Sequence, residues 1–76
     1  VAIEDRDLFD ALRDCRKHLA DEHDVPPYVI FHDATLKQMA ADRPQTDSGL
    51  IEISGVGQTK LERYGAAFLR VIGERS

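Results

Sequence analysis

Apolar side chains in the first third of the chain recur at helical spacing. They stand three or four residues apart, at Leu8, Leu12, Cys15 and Leu19. In a helix that turns about 100° per residue, this spacing gathers them on one narrow arc. Neither Gly nor Pro interrupts the stretch, so the pattern predicts one long amphipathic helix from Asp5 to about Glu22.

The side of this helix opposite the apolar arc is acidic. Its acidic residues are Asp7, Asp10, Asp14 and Asp21. Charges behind an apolar stripe are typical of any surface helix, so the simplest interpretation is a solvent-facing side. The alternative is a docking surface for a basic partner.

A Pro-Pro pair separates the first helix from a shorter one. Pro26 and Pro27 prevent the first helix from continuing and favour extended geometry at the connection. Asp33 is then predicted to be the N-cap of a helix over residues 34–41, which Pro44 ends. The inward side chains of that helix are Leu36, Met39 and Ala40.

Two further elements complete the pattern. Thr46 or Asp47 can cap a short helix through residues 50–53, although LIEIS also alternates like a strand. A last helix is predicted from residue 57 or 58 to residue 74, with Leu61, Tyr64, Phe68 and Ile72 on its buried arc. Because YVIF is the only other strand-like segment, the sequence favours an all-α bundle of four or five helices.

The stretch ISGVGQTKLERYG joins the last two helices through a glycine-rich turn. It does not fit a phosphate-binding P-loop, because Gln58 and Thr59 separate the last glycine from the lysine. Gly55 and Gly57 permit positive φ, and N–H groups at the next helix start can hold a phosphate oxygen. The pattern matches a helix-hairpin-helix, as in non-specific DNA-binding proteins, but a compact turn in which Val56 plugs the core explains the same residues.

Basic residues follow this hairpin. By helical angle three of them share one side of the last helix: Lys60, Arg63 and Arg70. That side lies away from the buried arc, although Glu74 shares it and reduces its positive charge. We therefore expect these three side chains to be the candidates for phosphate contact.

Length and composition indicate how many domains the chain forms, and its net charge indicates how strongly it attracts DNA. With 76 residues, 42% apolar and 32% charged, the chain is expected to be one small ordered domain. The net charge of −4 arises in the first 24 residues, where eight acids outnumber four bases, and this argues against strong general attraction to DNA. No apolar run is long enough to cross a membrane, and no signal peptide is recognisable.

The sequence offers no constellation for catalysis or metal binding. The single cysteine, Cys15, excludes an internal disulfide and is expected to be a small buried hydrophobe. His18, His23 and His32 lack the Cys or carboxylate arrangement of a metal site, and the acidic stripe lacks a cleft. We therefore predict no enzymatic activity, no metal and no cofactor for this chain.

Three blocks of the chain resemble a known family. They are L-F-x-x-L-R-x-x-R over residues 8–16, A-D-E-x-x-V-P-P-Y-V-I-F-x-D-A-T-L over residues 20–36, and G-V-G-x-x-K-L-E-R-Y-G over residues 55–65. In this order and at this spacing they resemble the HRDC domain, the helicase-and-RNase-D C-terminal module, in its bacterial RecQ version. The resemblance covers nearly the whole chain.

The resemblance implies that residues 1–76 form a single five-helix bundle. Such a domain belongs to the C-terminal region of an ATP-dependent 3′–5′ DNA helicase and assists binding to single-stranded or branched DNA in repair and recombination. ATP and Mg²⁺ would bind elsewhere in that parent chain. A monomeric domain in the bacterial cytoplasm, at the nucleoid through its parent, is then expected, and a start at Val instead of Met fits a segment of a longer protein.

Two functions follow as hypotheses. In the first, the domain binds DNA weakly through the hairpin and its basic residues, with Tyr28 as a base-stacking platform near Lys37; the resemblance implies the role of Tyr28. Tyr28 can instead be partly buried, because its apolar neighbours also need places in the core. In the second, the acidic first helix docks on the helicase core or on a partner protein and competes with DNA.

Overall fold

The computed structural model describes the backbone of residues 3–74 and the side chains of residues 6–74. Within that range the chain forms five helices and no strand. The first four are α1 at Ile3–His23, α2 at Pro27–Ile30, α3 at Asp33–Asp42 and α4 at Asp47–Ile51. The fifth, α5, begins at Gln58–Lys60, passes through a π-helical turn at Leu61–Gly65 and continues at Ala66–Glu74. None of the helices described is long and apolar enough to cross a membrane.

The prediction of an all-α bundle is confirmed, and several local predictions need correction. Both strand-like segments are helical in part, because YVIF contributes to α2 and LIEIS overlaps the end of α4. Asp33 is the first residue of α3, and His32 occupies the N-cap position without a side-chain cap. Thr46 does cap α4, since its hydroxyl accepts a hydrogen bond from the Gly49 N–H at 3.1 Å.

An aromatic cluster lies at the centre of the core. The ring centroids of Phe31 and Phe68 are 5.0 Å apart, and those of Phe31 and Tyr64 are 6.4 Å apart, both with edge-to-face geometry. Such pairs contribute about 0.5–1.5 kcal/mol beyond the area they bury. Leu8 and Leu12 of α1 are fully buried beside this cluster, whereas Cys15 and Leu19 are only half-buried at its edge.

Arg16 is a buried charge on α1, four residues after the buried Leu12. Only 11% of its side chain is exposed. Its Nη1 donates a hydrogen bond to the Phe31 carbonyl oxygen at 3.0 Å and lies 2.7 Å from Oδ1 of Asp33. Arg16 therefore joins α1 to the connection between α2 and α3.

The turn between α4 and α5 rests on α3. The Thr35 hydroxyl donates a hydrogen bond to the Ser54 carbonyl oxygen at 3.0 Å, and Val56 is buried in the core. Gly55 has φ +93°, and a Cβ there would collide with the Thr35 Oγ1. Gly57 has φ −88°, and a Cβ there would meet no other atom within 4 Å, so of the two glycines only Gly55 uses the positive φ that glycine permits.

These two glycines give a prediction on stability. Gly55→Ala should lower the free energy of unfolding by about 2–3 kcal/mol, because it combines an unfavourable φ with loss of the Thr35 hydrogen bond. Gly57→Ala is the matched control and should stay within about 1 kcal/mol of wild type. Urea unfolding followed by circular dichroism measures both changes. Equal destabilisation by the two variants would contradict the assignment.

Asp33 gives a prediction on the pH dependence of stability. Its hydrogen bond with Arg16, and then the charge of Arg16, lower the pKa of this carboxyl. Such a group stabilises the fold above its unfolded pKa of about 3.9, and this contribution is lost as pH falls through the lower folded pKa. Asp33→Asn should therefore flatten the acid side of a plot of urea midpoint against pH.

Asp42→Asn, at the other end of the same helix, is the control for this experiment, because that carboxylate makes no bond with Arg16. It should retain the loss of stability below about pH 4 that Asp33 causes. Because the Asp33 carboxylate is largely exposed, solvent screens the pair, so the difference between the two variants is small. An Asp33→Asn profile identical to that of Asp42→Asn would contradict a stabilising role for the pair.

Candidate nucleic-acid interface

Tyr28 stands on the surface and not in the core. Its side chain is 60% exposed, and its ring stacks with that of His32 at a centroid distance of 6.1 Å and an interplanar angle of 29°. Its neighbours Ile30 and Phe31 are buried. Of the two interpretations of Tyr28, the structure therefore favours the exposed aromatic platform.

Three features hold this platform in place. Pro26 is extended at φ −62° and ψ 149°, and Pro27 is the first residue of α2, where the missing N–H of proline is harmless. Arg16 fixes the following segment through the Phe31 carbonyl and Asp33.

A shallow depression beside Tyr28 is lined by Arg16, Pro27, Tyr28, His32, Asp33 and Ala34. A flat ring with a second ring beside it can accept a stacked nucleobase.

The glycine turn forms a second shallow surface. Its lining residues are Gly55, Val56, Gly57, Gln58, Thr59 and Lys60. Gly57 is the N-cap of α5 and supplies no side-chain hydrogen bond. The first N–H groups of a helix have no partner within the helix, and the dipole there favours negative charge. This turn therefore has the donors that a phosphate oxygen needs.

Lys60 lines this surface and also contacts a core residue. It is half-buried, and its Nζ lies 5.9 Å from the centroid of the buried Phe31 ring. A cation over an aromatic face contributes about 0.5–1 kcal/mol or more, so Lys60 also stabilises the fold. Arg63 is exposed on the π-helical turn.

Arg70 is separated from these two residues by a change of helical register. The π-helical turn at Leu61–Gly65 lies between them, and wider turns do not follow the angle of about 100° per residue. Helical angle alone therefore does not place Arg70 beside Lys60 across this turn. In addition, the Arg70 Nε lies 3.3 Å from the Oε1 of Glu74, which offsets its charge. A shared role in DNA contact stays a prediction.

Lys37 is grouped with α1 rather than with Tyr28 or the hairpin. It lines a surface depression together with Arg6, Phe9, Asp10 and Arg13. Sequence reasoning missed the three α1 neighbours other than Asp10. The spacing could have indicated the two arginines, because Arg6 and Arg13 are seven residues apart and Lys17 follows four residues later. Residues at this spacing share one side of a helix.

The acidic candidates of α1 are all exposed, as predicted: Asp7, Asp10, Asp14 and Asp21. They are not alone on that side. A depression that contains three of them is also lined by Arg13, Arg16 and Lys17. The solvent face of α1 is therefore mixed in charge and not uniformly acidic.

The last two features to consider are the single cysteine and the side chains that could hold a metal ion. Burial raises the pKa of the Cys15 thiol to about 11, so it stays protonated and weakly nucleophilic at neutral pH. Within residues 3–74, no group of three or more His, Cys, Asp or Glu side chains is placed to hold a metal ion. What the described surface offers is aromatic faces, backbone donors and cations.

Known proteins share this sequence and this fold. The chain is 47% identical over 74 residues to the ATP-dependent DNA helicase RecQ of Haemophilus influenzae, covering 97% of this chain and 12% of that helicase. It is 46% identical over 69 residues to RecQ of Bacillus subtilis, covering 91% and 12%. It is 40% identical over 72 residues to the ATP-dependent DNA helicase UvrD2 of Mycobacterium tuberculosis, covering 95% and 10%.

The fold and a family model agree with these similarities. The solved structure of D. radiodurans RecQ HRDC domain 3 superposes with a TM-score of 0.89 at 37% identity, covering 92% of each chain. The model of the HRDC domain matches residues 5–72, which include all five helix cores and every candidate contact residue. By sequence and by fold, this chain belongs to the HRDC domain family.

Proposed function

We propose that this chain is a non-catalytic accessory domain of an ATP-dependent 3′–5′ DNA helicase of the RecQ type. The relatives named RecQ are 44–47% identical to it, against 40% for UvrD2, and it spans about 12% of their length. In this proposal ATP and Mg²⁺ bind elsewhere in the parent chain. The domain acts in the bacterial cytoplasm at the nucleoid, as a monomeric unit near the C-terminus of that chain.

The observation that carries a role in DNA binding is the exposed Tyr28 ring stacked with His32. Base stacking on an exposed aromatic ring contributes about 1–3 kcal/mol per base and tolerates any sequence. The platform therefore suits an accessory role in which the helicase core supplies most of the affinity and the domain adjusts the choice of DNA structure.

Charge limits the affinity of the domain by itself. The net charge is −4, and exposed charges act over a Debye length of about 8 Å at physiological salt. Acidic groups that lie within this distance of a bound strand repel it, whereas more distant ones are largely screened. This repulsion opposes the local attraction through Lys60, Arg63 or the hairpin N–H groups.

A second candidate function is docking on a protein surface. A groove between α1 and α5 is lined by Ala11, Asp14, Cys15, His18, Leu19, Ala67, Val71 and Glu74. Half-buried apolar side chains at its floor and carboxylates at its rim suit a basic segment with apolar residues. The helicase core of the same chain, or a partner protein, supplies that basic segment, and the domain competes with DNA for it.

The first prediction here concerns DNA affinity. The isolated chain should bind single-stranded DNA weakly or undetectably near physiological salt, at or beyond the feeble end of the roughly 10⁻⁴ to 10⁻⁶ M range of non-specific binding. At low salt, binding should become measurable by fluorescence anisotropy with labelled oligothymidylate. Submicromolar binding at physiological salt would contradict the proposal of a weak accessory contact.

Substitutions locate the contact at low salt. Tyr28→Ala should weaken binding by about 1–3 kcal/mol if a base stacks on the ring. Val29→Ala is the matched control, because Val29 is the other exposed large apolar residue on α2 and has no ring. Lys60→Glu with Arg63→Glu should also weaken binding, with urea unfolding as a check because Lys60 contacts Phe31.

A second prediction concerns the parent helicase. Deletion of this domain should leave ATP hydrolysis on saturating DNA largely intact and should change discrimination among single-stranded, forked and branched DNA. The reason is that the described residues hold no metal cluster and show no catalytic arrangement. Loss of DNA-stimulated ATP hydrolysis in a folded deletion protein would contradict an accessory role.

A further inference from the structure

The groove between α1 and α5 has an apolar floor that the described part of the chain leaves open to solvent. Its five floor residues are all half-buried: Ala11, Cys15, Leu19, Ala67 and Val71. The three larger ones pack against the core on one side and line the groove on the other. We call this feature the α1–α5 groove. Its floor offers a partner apolar surface that the fold itself does not cover.

The two helices that form the groove run antiparallel. At the C-terminal end of α1, the His23 ring lies 5.4 Å from the Tyr64 ring. Farther towards its N-terminus, α1 lines the groove opposite the C-terminal half of α5. From Ala11 to Leu19 the groove extends along α1 by about 12 Å, the rise of roughly two helical turns. Ala11 and Ala67 are small, which lets a third helix approach to the distance of about 8–10 Å that packed helices need.

A helix suits this groove better than an extended peptide. An extended peptide needs a strand edge that completes its backbone hydrogen bonds, and residues 3–74 form no strand. A helix satisfies its backbone internally and offers a groove only its side chains. Because the floor is apolar, the side of the helix that meets it has to be apolar as well.

Charge is divided between the two sides of α1. Helical angle can be measured from the groove-lining residues Ala11, Cys15 and His18. Three exposed carboxylates lie within about 70° of that line: Asp7, Asp14 and Glu22. The exposed Arg and Lys side chains of α1 lie more than about 120° from it: Arg6, Arg13 and Lys17. The solvent face of α1 is mixed in charge as a whole, but its border with the groove is acidic.

The α5 side of the groove adds one more carboxylate. Glu74 lines the groove, and its Oε1 lies 3.3 Å from the Nε of Arg70, so Arg70 offsets part of its charge. Both side chains are largely exposed, at 63% for Glu74 and 81% for Arg70, and water screens such a pair. A cation of a partner can therefore replace Arg70 beside Glu74 at little cost.

We propose that the α1–α5 groove binds a basic amphipathic helix of a separate protein. The apolar stripe of that helix lies on the floor, and the lysines or arginines beside the stripe face Asp14, Glu22 and Glu74. The inference rests on the second candidate function, protein docking, and names the occupant of the groove. Complementary charge acts mainly on the rate of encounter and the choice of partner, which matters for a protein that arrives by diffusion. A second copy of this chain presents the same acidic border and is repelled.

Three designed peptides test the chemistry of the occupant. Each has about 16 residues, which form a helix about 24 Å long. The first carries leucines three or four residues apart with lysines on both sides of the stripe, the second has glutamates instead of lysines, and the third is the first with its sequence scrambled. Fluorescence anisotropy should show binding of the first, none of the second, and about tenfold weaker binding of the third, whose leucines share no side. Equal binding of the first peptide and either control overturns the proposal.

A charge-matched pair of variants tests the acidic border. Asp14→Asn with Glu22→Gln removes two carboxylates beside the groove. The control, Asp42→Asn with Glu52→Gln, removes two exposed carboxylates at the ends of α3 and α4. At low salt, the first variant should bind the lysine peptide about fivefold more weakly than the control, because two exposed ion pairs are lost.

A pair of neighbouring alanines tests the floor. Ala67→Gln places a longer polar side chain in the groove and should weaken binding of the lysine peptide about tenfold. Ala66→Gln, at the exposed position beside it, is the matched control and should leave binding unchanged. Glutamine favours helices, and urea unfolding checks that both variants are folded. Amide resonances of Ala11 and Val71 should shift on titration with the peptide, and those of Gly55 and Gly57 should not.

The outcomes distinguish this inference from the function on which it rests. Equal affinities within either pair of variants, or resonance shifts away from the groove, overturn the α1–α5 groove. If a parent helicase that lacks this domain binds the isolated chain while the groove resonances stay unchanged, protein docking stands and the groove is overturned. If the complete parent binds the lysine peptide far more weakly than the isolated chain does, its own chain occupies the groove and a separate partner is overturned. If neither the peptide nor the parent binds, both the groove and the docking function are overturned.

Discussion

The arrangement of the surface depends on one buried guanidinium. Arg16 of α1 donates to the Phe31 carbonyl and pairs with Asp33. Desolvation of a charge is expensive unless its partners are well placed, and the Nε of Arg16 is buried without a partner among the described residues. The hydrogen bond to Phe31 and the ion pair with Asp33 offset this desolvation cost. They also fix the connection between α2 and α3. Phe31 then points into the aromatic cluster, and Tyr28 and His32 remain outside.

Apolar periodicity was sufficient to predict the bundle but not this contact. The long helix α1, the helix after Pro44 and the buried arc through Tyr64, Phe68 and Ile72 all follow from spacing, because burial of apolar area dominates folding. Arg16 was missed because its charge drew no attention to its position, although it follows Leu12 by four residues and lies beside the apolar arc. The short α2 was missed because a proline pair suggests an extended connection, although Pro27 is well suited to a first helical position.

The sequence allowed some residues of the candidate site to be named, but it did not show which of them lie together. Tyr28 and the hairpin could be named from sequence, and the exposure of Tyr28 agrees with one of the two interpretations given to it. Helical angle was a poor basis for grouping Arg70 with Lys60, because a π-helical turn intervenes and nothing in the residue pattern indicates such a turn. Arg6, Phe9 and Arg13 were overlooked because the acidic total of the first 24 residues concealed how charges are distributed around α1.

Helix α3 connects these separate surfaces. Within five positions it presents Asp33 to Arg16, the Thr35 hydroxyl to the Ser54 carbonyl, and Lys37 to the depression that residues of α1 also line. Its buried side chains, Leu36, Met39 and Ala40, fix the rotation of the helix and therefore the directions of all three polar groups. The helix thus contributes to holding the α2–α3 connection and the glycine turn in place. Packing of this one helix therefore determines where three polar groups of a small domain lie.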